Sequence, residues 1–399
     1  MKIALDLTHA AHSSAQTGIQ QVARGLAEAL QAEVALERIV FDKYADAWRG
    51  IDQRERQHLA TVDQLAGVKR KRPHWSTWQR IRGRWQRRTG RQPQPPAARF
   101  DAIILPEFFA EWVGPRLEEL RSWTRGPRAA IFHDAIAFFH HQWGVPETIA
   151  RYPQYLRELA AVELIGCVSD YSKNQLLEAF AQLQIETSAR IETVPLGLRT
   201  THLPRLPDSS PKKEKSALAR RRLLSVGTLE PRKNHLTLLA AAEAQWERGH
   251  AFELILAGMV NRGSGQPILD EVERLQGKGF PLRWTGALPA SELAELYATS
   301  TATVFPSACE GFGLPVLESL HFGLPCLASN GGALREVATG PGILASDPTP
   351  EAWTAMLRGY LENSDLATRL TEEARTRTVR TMQDYARDWV DLLGEVARS

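Results

Sequence analysis

The chain has 399 residues, 43% hydrophobic and 24% charged, with 49 Lys and Arg against 46 Asp and Glu. That length suggests two or three domains with room for large cores, and the mixture excludes a disordered chain or a fibre. Three cysteines, Cys167, Cys309 and Cys326, exclude a disulfide framework. None stands at C-x-x-C spacing, so no structural zinc site is expected.

Asp6 and His9 interrupt the N-terminus before the apolar core of a signal peptide could form, so KIALDLT (2–8) reads as a first strand. No run approaches the length of a transmembrane helix. These features predict a cytoplasmic protein. Gly18 opens an amphipathic helix from 19 to about 32, and VALERIVF (34–41) is a second strand.

The formal charge of +3 hides an asymmetry: no acidic residue stands between Asp63 and Asp101, while 69–91 carry ten Lys and Arg. In that segment, KRKRPHWSTWQRIRGRWQRRTGR, Trp75, Trp78, Ile81 and Trp85 fall on one side of a helical wheel. Arg80, Arg84 and Arg87 fall on the other, with Arg82 among the Trp residues. Trp beside Arg suits an anionic membrane surface, here the inner face of the plasma membrane. Nucleic acid is a competing partner, but no nucleic-acid motif accompanies the segment and none is expected. A disordered basic loop is the plain alternative, given Gly83, Pro93, Pro95 and Pro96.

FDAIILPEF (100–108), RAAIFHDA (128–135), LIGCVSD (164–170) and IETVPLG (191–197) read as buried parallel strands. Helices are predicted around 154–163 and from Ser172. Residues 198–220 hold Pro204, Pro207 and Pro211 among Ser and Lys, a linker signature. The alternation restarts with strands at RRLLSVGTL (221–229), FELILAGM (252–259), LRWTGAL (282–288), TATVFPS (301–307) and PCLASN (325–330). Between them, one helix opens at Pro231 and Asn234 and runs to about Gly249. Others occupy 268–276, a stretch capped by Ser291 to Thr299, and Gly313 to about Phe322. The tail from Pro350 is mostly helical.

This pattern predicts an α/β fold of two Rossmann-like, doubly wound domains. The boundaries read 1–200, with a basic insertion at about 64–99, a linker at 201–220, then 221–380 and a C-terminal helix at 381–399. Two such domains face to face would make a ligand cleft beyond their strand ends.

Two segments could carry chemistry. In EGFGLPVLE (310–318), Gly311 and Gly313 permit close backbone approach, and the helix start offers free N–H groups to an anion such as diphosphate. If wholly helical, the eight residues from Glu310 to Glu318 span roughly 12 Å, too far to share one glycosidic bond. The two carboxylates would instead grip opposite ends of an extended polar ligand. In GTLEPRKN (227–234), Arg232 and Lys233 open a helix after a strand, placed to hold a pyrophosphate. In isolation, a glycine-rich turn with two solvated acids and a solvated surface cation pair fit the same residues.

In this order, about 80 residues apart, the two segments resemble those of retaining glycosyltransferases of family 4, which have the GT-B fold. SNGGALREVA (329–338) resembles the family's following loop. Asp6-Leu-Thr, Gly18-Ile19, His133-Asp134 and Val168-Ser169 resemble its N-terminal features. The likeness is closest to bacterial mannosyl- and rhamnosyltransferases of surface-polysaccharide assembly. It implies that Glu310 meets hydroxyls of the donor sugar and Glu318 those of the ribose. Arg232 and Lys233 would hold the diphosphate, helped by Thr228, by the N–H groups of Phe312, Gly313 and Leu314, and by the Gly18 loop. His133 would lie near the reacting centre. The retaining chemistry implied is same-face displacement, in which the leaving phosphate helps to deprotonate the acceptor.

Three positions depart from the family pattern: Met259-Val260-Asn261-Arg262 follow Gly258, Arg335 stands in place of Pro, and Gln20-Gln21 stand in place of Arg. No D-x-D occurs in the sequence, so no metal is expected and no cofactor beyond the nucleotide-sugar substrate, GDP-mannose first. The acceptor expected is a glycan or a lipid-linked glycan. The competing readings are a non-transferring GT-B protein, such as a nucleotide-sugar 2-epimerase, and a membrane- or RNA-binding adaptor on a dead transferase scaffold.

Overall fold

The computed structural model describes residues 1–15, 17–62, 74–91, 93, 99–204 and 221–398. Most of the predicted linker (205–220) and residues 69–73 of the basic segment lie outside the described residues. The chain divides into two compact units, Met1–Arg199 with Thr381–Ser399, and Thr200–Arg380.

The first unit is built on a seven-stranded sheet. Its strands are β1 (Lys2–Asp6), β2 (Ala35–Asp42), β3 (Ala47–Gly50), β4 (Ala102–Leu105), β5 (Arg128–Phe132), β6 (Leu164–Cys167) and β7 (Arg190–Thr193). The order is β3-β2-β1-β4-β5-β6-β7, parallel throughout except for the β2–β3 hairpin. β4 and β5 are fully buried, which explains their unbroken apolar runs. Ile103, Leu105, Phe132 and Ile165 share a core with Tyr155, Leu156 and Leu159 of the helix Pro146–Leu159. The C-terminal helix Met382–Val396 belongs to this unit: Trp389 lies fully buried over Gly166, where any Cβ would collide with its ring.

The second unit carries β8 (Arg221–Val226), β9 (Phe252–Ala257), β10 (Leu282–Gly286), β11 (Ala302–Phe305), β12 (Cys326–Ser329) and β13 (Ile343–Ser346). They form a six-stranded parallel sheet ordered β10-β9-β8-β11-β12-β13. In both sheets the strand order reverses once, between β1 and β4 and between β8 and β11. Such reversals open a crevice at the carboxyl ends of the strands, because the flanking loops diverge to opposite sides.

Several predicted elements differ in detail. The hairpin strand β3 and the edge strand β13, four residues each, were not anticipated, nor was the 3-10 segment Gly114–Trp123. The helix expected at 154–163 begins at Pro146 and carries Pro153 inside it. Ser291 is not a cap: it lies within the helix Ala290–Thr299, whose N-cap is Pro289. The helix expected from Pro231 is broken by Asn234 at φ 56°, leaving a 3-10 turn Pro231–Lys233 before the helix His235–Glu247.

The Trp/Arg segment forms the helix Thr77–Thr89, capped by Ser76 and Gln79 in a reciprocal pair of hydrogen bonds. Trp75 therefore precedes the helix and leaves the face assigned to it. Its ring is buried, stacked on His12 with centroids 4.3 Å apart and covered by Lys43 Nζ at 4.3 Å.

Candidate active site

β8 and β11 are the neighbours at which the second sheet reverses, and the two motifs follow them directly. The loop after β8 brings Arg232 and Lys233 to the loop after β11. Arg232 Nη1 donates to Glu310 Oε2 at 2.7 Å and to the Cys309 carbonyl at 2.9 Å. Lys233 Nζ donates to Glu310 Oε1 at 2.6 Å. One buried carboxylate thus takes a different cation on each oxygen. Burial alone would raise the Glu310 carboxyl, but the charges of Arg232 and Lys233 outweigh it and hold the group at about 2.

The backbone fixes this arrangement. Ala308 N donates to the Arg232 carbonyl at 2.9 Å, joining the two loops, and Ala333 N donates to the Glu310 carbonyl at 2.9 Å. The SNGGALREVA loop therefore forms the wall behind Glu310, with Gly332 bridged to it. Glu230 Oε1 accepts from Arg232 Nη2 at 2.8 Å, and Glu230 Oε2 accepts from Asn261 at 3.3 Å. The departure from the family pattern after Gly258 thus supplies a side chain that orients the guanidinium through Glu230.

The helix Leu314–His321 starts beside the cluster. Gly313 precedes it at φ +117°, where a Cβ would also sit 2.6 Å from Leu334 Cδ2. The N-cap Gly313 has no side chain with which to cap this start, so the backbone N–H groups around Phe312, Gly313 and Leu314 offer a place for an anion. Glu318 lies one turn into the helix and makes no ion pair with either cation among the described contacts, although the Lys233 charge acts on it. Its Oε2 accepts from the Tyr297 hydroxyl at 2.6 Å, and burial raises its carboxyl. Thr228 lies two residues beyond β8, half-buried. Of the predicted site residues, the structure therefore joins Arg232, Lys233 and Glu310 directly and sets Thr228, Phe312, Gly313, Leu314 and Glu318 on the same strand ends.

Gly18 and His133 belong to the first unit. Gly18 begins the helix Gly18–Glu33, whose N-cap Thr17 makes no side-chain cap bond. Gln20 Nε2 meets His9 Nδ1 at 3.1 Å, and Gln21 Oε1 accepts from Arg199 at 3.1 Å. One turn later, Arg24 is buried and donates to the carbonyls of Ser13 and Ala15 at 3.1 Å. His133 follows β5, and its Nε2 lies 2.8 Å from the Pro106 carbonyl. A carbonyl only accepts, so Nε2 carries the proton and Nδ1 keeps a lone pair. Burial lowers the His133 pKa and favours this neutral form. Asp134 turns its carboxylate to the Ile136 N–H at 2.9 Å, capping the next turn.

The reversal between β1 and β4 holds, near Asp6, a second carboxyl that the motifs did not include. Glu107 is 5% exposed; its Oε2 accepts from His9 N at 2.9 Å and Ala10 N at 3.1 Å. Its Oε1 has no hydrogen-bond partner among the described residues. Burial, helped by the Asp6 charge, pushes Glu107 up to about 8, and burial pushes Asp6 up to about 6. A carboxyl raised in the folded state stabilises the fold below its ordinary value and loses that contribution as pH rises through the folded value. Glu107→Gln keeps an acceptor for both N–H groups and cannot ionise. Its melting temperature is expected to match wild type near pH 5 and to exceed it above pH 8, read by calorimetry across pH. Parallel curves would place the Glu107 titration outside this range.

Residues 208–377 match the family model described as glycosyl transferases group 1. This part of the chain is a group 1 glycosyl transferase domain. The O-antigen chain mannosyltransferase B of Escherichia coli is 33% identical over 237 residues, which cover 58% of this chain and 60% of that protein. The E. coli serotype-specific mannosyltransferase WbdA is 34% identical over 115 residues, covering 29% of this chain and 14% of its own length. The chain thus aligns with less than two thirds of these relatives. Among solved structures, Anabaena HepE in complex with UDP and glucose superposes with TM-score 0.68 at 16% identity, covering 99% of this chain and 100% of that one. WaaG, a glycosyltransferase involved in lipopolysaccharide biosynthesis, superposes with TM-score 0.60 at 17% identity, covering 98% and 99%. The fold is that of the GT-B glycosyltransferases.

Glu230, Tyr297, Arg24 and Glu107 are the residues around these clusters that sequence reasoning passed over. Glu230 lies inside GTLEPRKN and was legible there as a neighbour for Arg232. An arginine amid VARGLAEAL was a signal for Arg24, since a charge among apolar helix residues needs buried partners. Nothing local marked Tyr297 or Glu107.

Proposed function

We propose that this chain is a retaining hexosyltransferase that takes a sugar from a nucleotide diphosphate, GDP-mannose first, and passes it to a glycan or lipid-linked acceptor in surface-polysaccharide assembly. The observation that carries the reading is the single carboxylate shared by Arg232 and Lys233 at a sheet reversal, beside an uncapped helix start. Two cations beside a helix start with N–H groups to offer can neutralise a diphosphate as it leaves. A metal is not required for that charge balance. Glu310 then exchanges part of its ion pairing for sugar hydroxyls, and Glu318 meets the ribose. His133, neutral with a lone pair on Nδ1, can accept a hydrogen bond from a sugar or acceptor hydroxyl. The mannosyltransferase relatives favour mannose as the sugar, and the sugar nucleotide of HepE favours this donor class.

Thermal shift with GDP, UDP, dTDP and ADP, followed by product analysis with GDP-mannose, tests this reading. A ligand at a hundred times its Kd adds about 2.7 kcal/mol to apparent stability. The expected result is the largest shift with GDP, and GDP release from GDP-mannose that depends on an acceptor glycan. Interconversion of a sugar nucleotide without acceptor would favour the 2-epimerase reading. No shift with any nucleotide would favour the adaptor.

A further inference from the structure

Seven large hydrophobic side chains are conspicuously exposed among the described residues, and three of them share one side of one helix. Trp78, Ile81 and Trp85 on Thr77–Thr89 are 67%, 61% and 50% exposed. Their spacing of three and four residues lines them up along a single stripe. Arg84 and Arg88 are exposed along one border of the stripe, and Arg91 beyond the helix end sets its guanidinium 5.5 Å from the Trp85 ring centre.

The opposite side holds the helix down. Gly83 faces the backbone of Tyr44 and Ala45, where a Cβ would sit 2.7 Å from Ala45 N. Gln79 Nε2 donates to Asp52 at 3.0 Å and to Glu55 at 2.9 Å, and Arg82 donates to Asp52 at 3.4 Å. Glu55 in turn binds Arg49 and His12. His12 belongs to the loop after β1, so the helix is fixed to the strand-end loops of the first unit. An apolar stripe held outward by a buried polar network is not a helix waiting for a core of its own chain.

We infer that this stripe docks on an anionic lipid bilayer, with the Trp rings and Ile81 at headgroup depth and the arginines on lipid phosphates. The charge pattern selects the occupant. No acidic residue stands anywhere from 64 to 100, so a second copy of the same face would bring arginine against arginine. An anionic surface matches both features, since Trp is favoured where water meets hydrocarbon and each basic residue gains from the negative surface potential. Single-stranded nucleic acid would also meet cations and aromatics, but an exposed convex helix with isoleucine between the rings is not a stacking groove. The inference does not rest on the transferase reading, because its readout is lipid binding alone.

The full chain is tested by flotation with vesicles of phosphatidylcholine and with vesicles containing about one third phosphatidylglycerol. Wild type is expected to float with the anionic vesicles and to remain behind with the neutral ones. The triple variant Trp78→Ser, Ile81→Ser, Trp85→Ser removes only exposed side chains. It is expected to lower anionic-vesicle binding at least tenfold or so, with an unchanged thermal transition. Arg84→Gln with Arg88→Gln is expected to weaken binding and to flatten its salt dependence. Unchanged flotation of the triple variant overturns the inference. So does a wild-type chain that ignores anionic vesicles yet binds single-stranded RNA through the same residues.

Discussion

Glu310→Gln is expected to lower sugar transfer by about a thousandfold while leaving nucleoside diphosphate binding intact or several-fold tighter. The carboxylate is the only acidic group that takes both Arg232 and Lys233 among the described contacts. While it does so, it competes with any diphosphate for the same two cations. The neutral amide keeps the shape and one acceptor but releases positive charge toward the phosphates. It also removes the strong acceptor that the sugar hydroxyls would meet as positive charge develops on the reacting carbon. Binding and catalysis then move in opposite directions, which simple unfolding of the site cannot produce. Calorimetric titration with GDP, set beside a transfer assay, reads both.

The same variant should change the acid limb of stability. A carboxyl held at about 2 in the folded state contributes stability above its ordinary value near 4.5 and loses it as pH falls through about 2. Wild type should therefore lose stability between pH 4.5 and 2 more steeply than Glu310→Gln. Transfer within threefold of wild type would remove Glu310 from the reacting centre, however the stability behaves.

Much of this site was legible because it is local. GTLEPRKN and EGFGLPVLE each place glycine, charge and helix start within nine residues, and each follows a strand marked by a continuous apolar run. Buried parallel strands such as AIIL and RAAIF announce themselves for the same reason. What the sequence concealed is made by distance. The proton affinity of Glu107 comes from burial between β1 and β4, elements about 100 residues apart, and from Asp6 across that gap. The pairing of Tyr297 with Glu318 joins two helices with a strand between them. β3 escaped because AWRG is four residues with an arginine, whose partners Asp42 and Glu55 are contributed by other elements.

The error over Trp75 is of another kind. A helical wheel assumes where the helix begins, and Ser76 with Gln79 three residues later was a capping signal that placed the start after Trp75. Read that way, the wheel leaves Trp78, Ile81 and Trp85 as the outward stripe and assigns Trp75 to the body.

Lys233→Ala is expected to lower kcat by about a hundredfold to a thousandfold with little change in melting temperature. Its ammonium touches Glu310 at 2.6 Å and lies 5.0 Å from the centre of the Phe305 ring. Removing it leaves Glu310 still paired with Arg232, so the fold loses one of two partners and no charge is stranded. Arg232→Ala should cost activity and stability together, because the guanidinium also ties the Cys309 carbonyl and Glu230. Lys233→Arg should restore little, since a broad planar fork cannot occupy the space of a compact ammonium between Glu310 and the ring. The decisive comparison is the pair. If Lys233 and Glu310 act as one charge-switching unit, Lys233→Ala should cost markedly less kcat in the Glu310→Gln background than in wild type. Effects that simply multiply would mean that the two residues serve separate steps, with their ion pair a feature of the resting site alone.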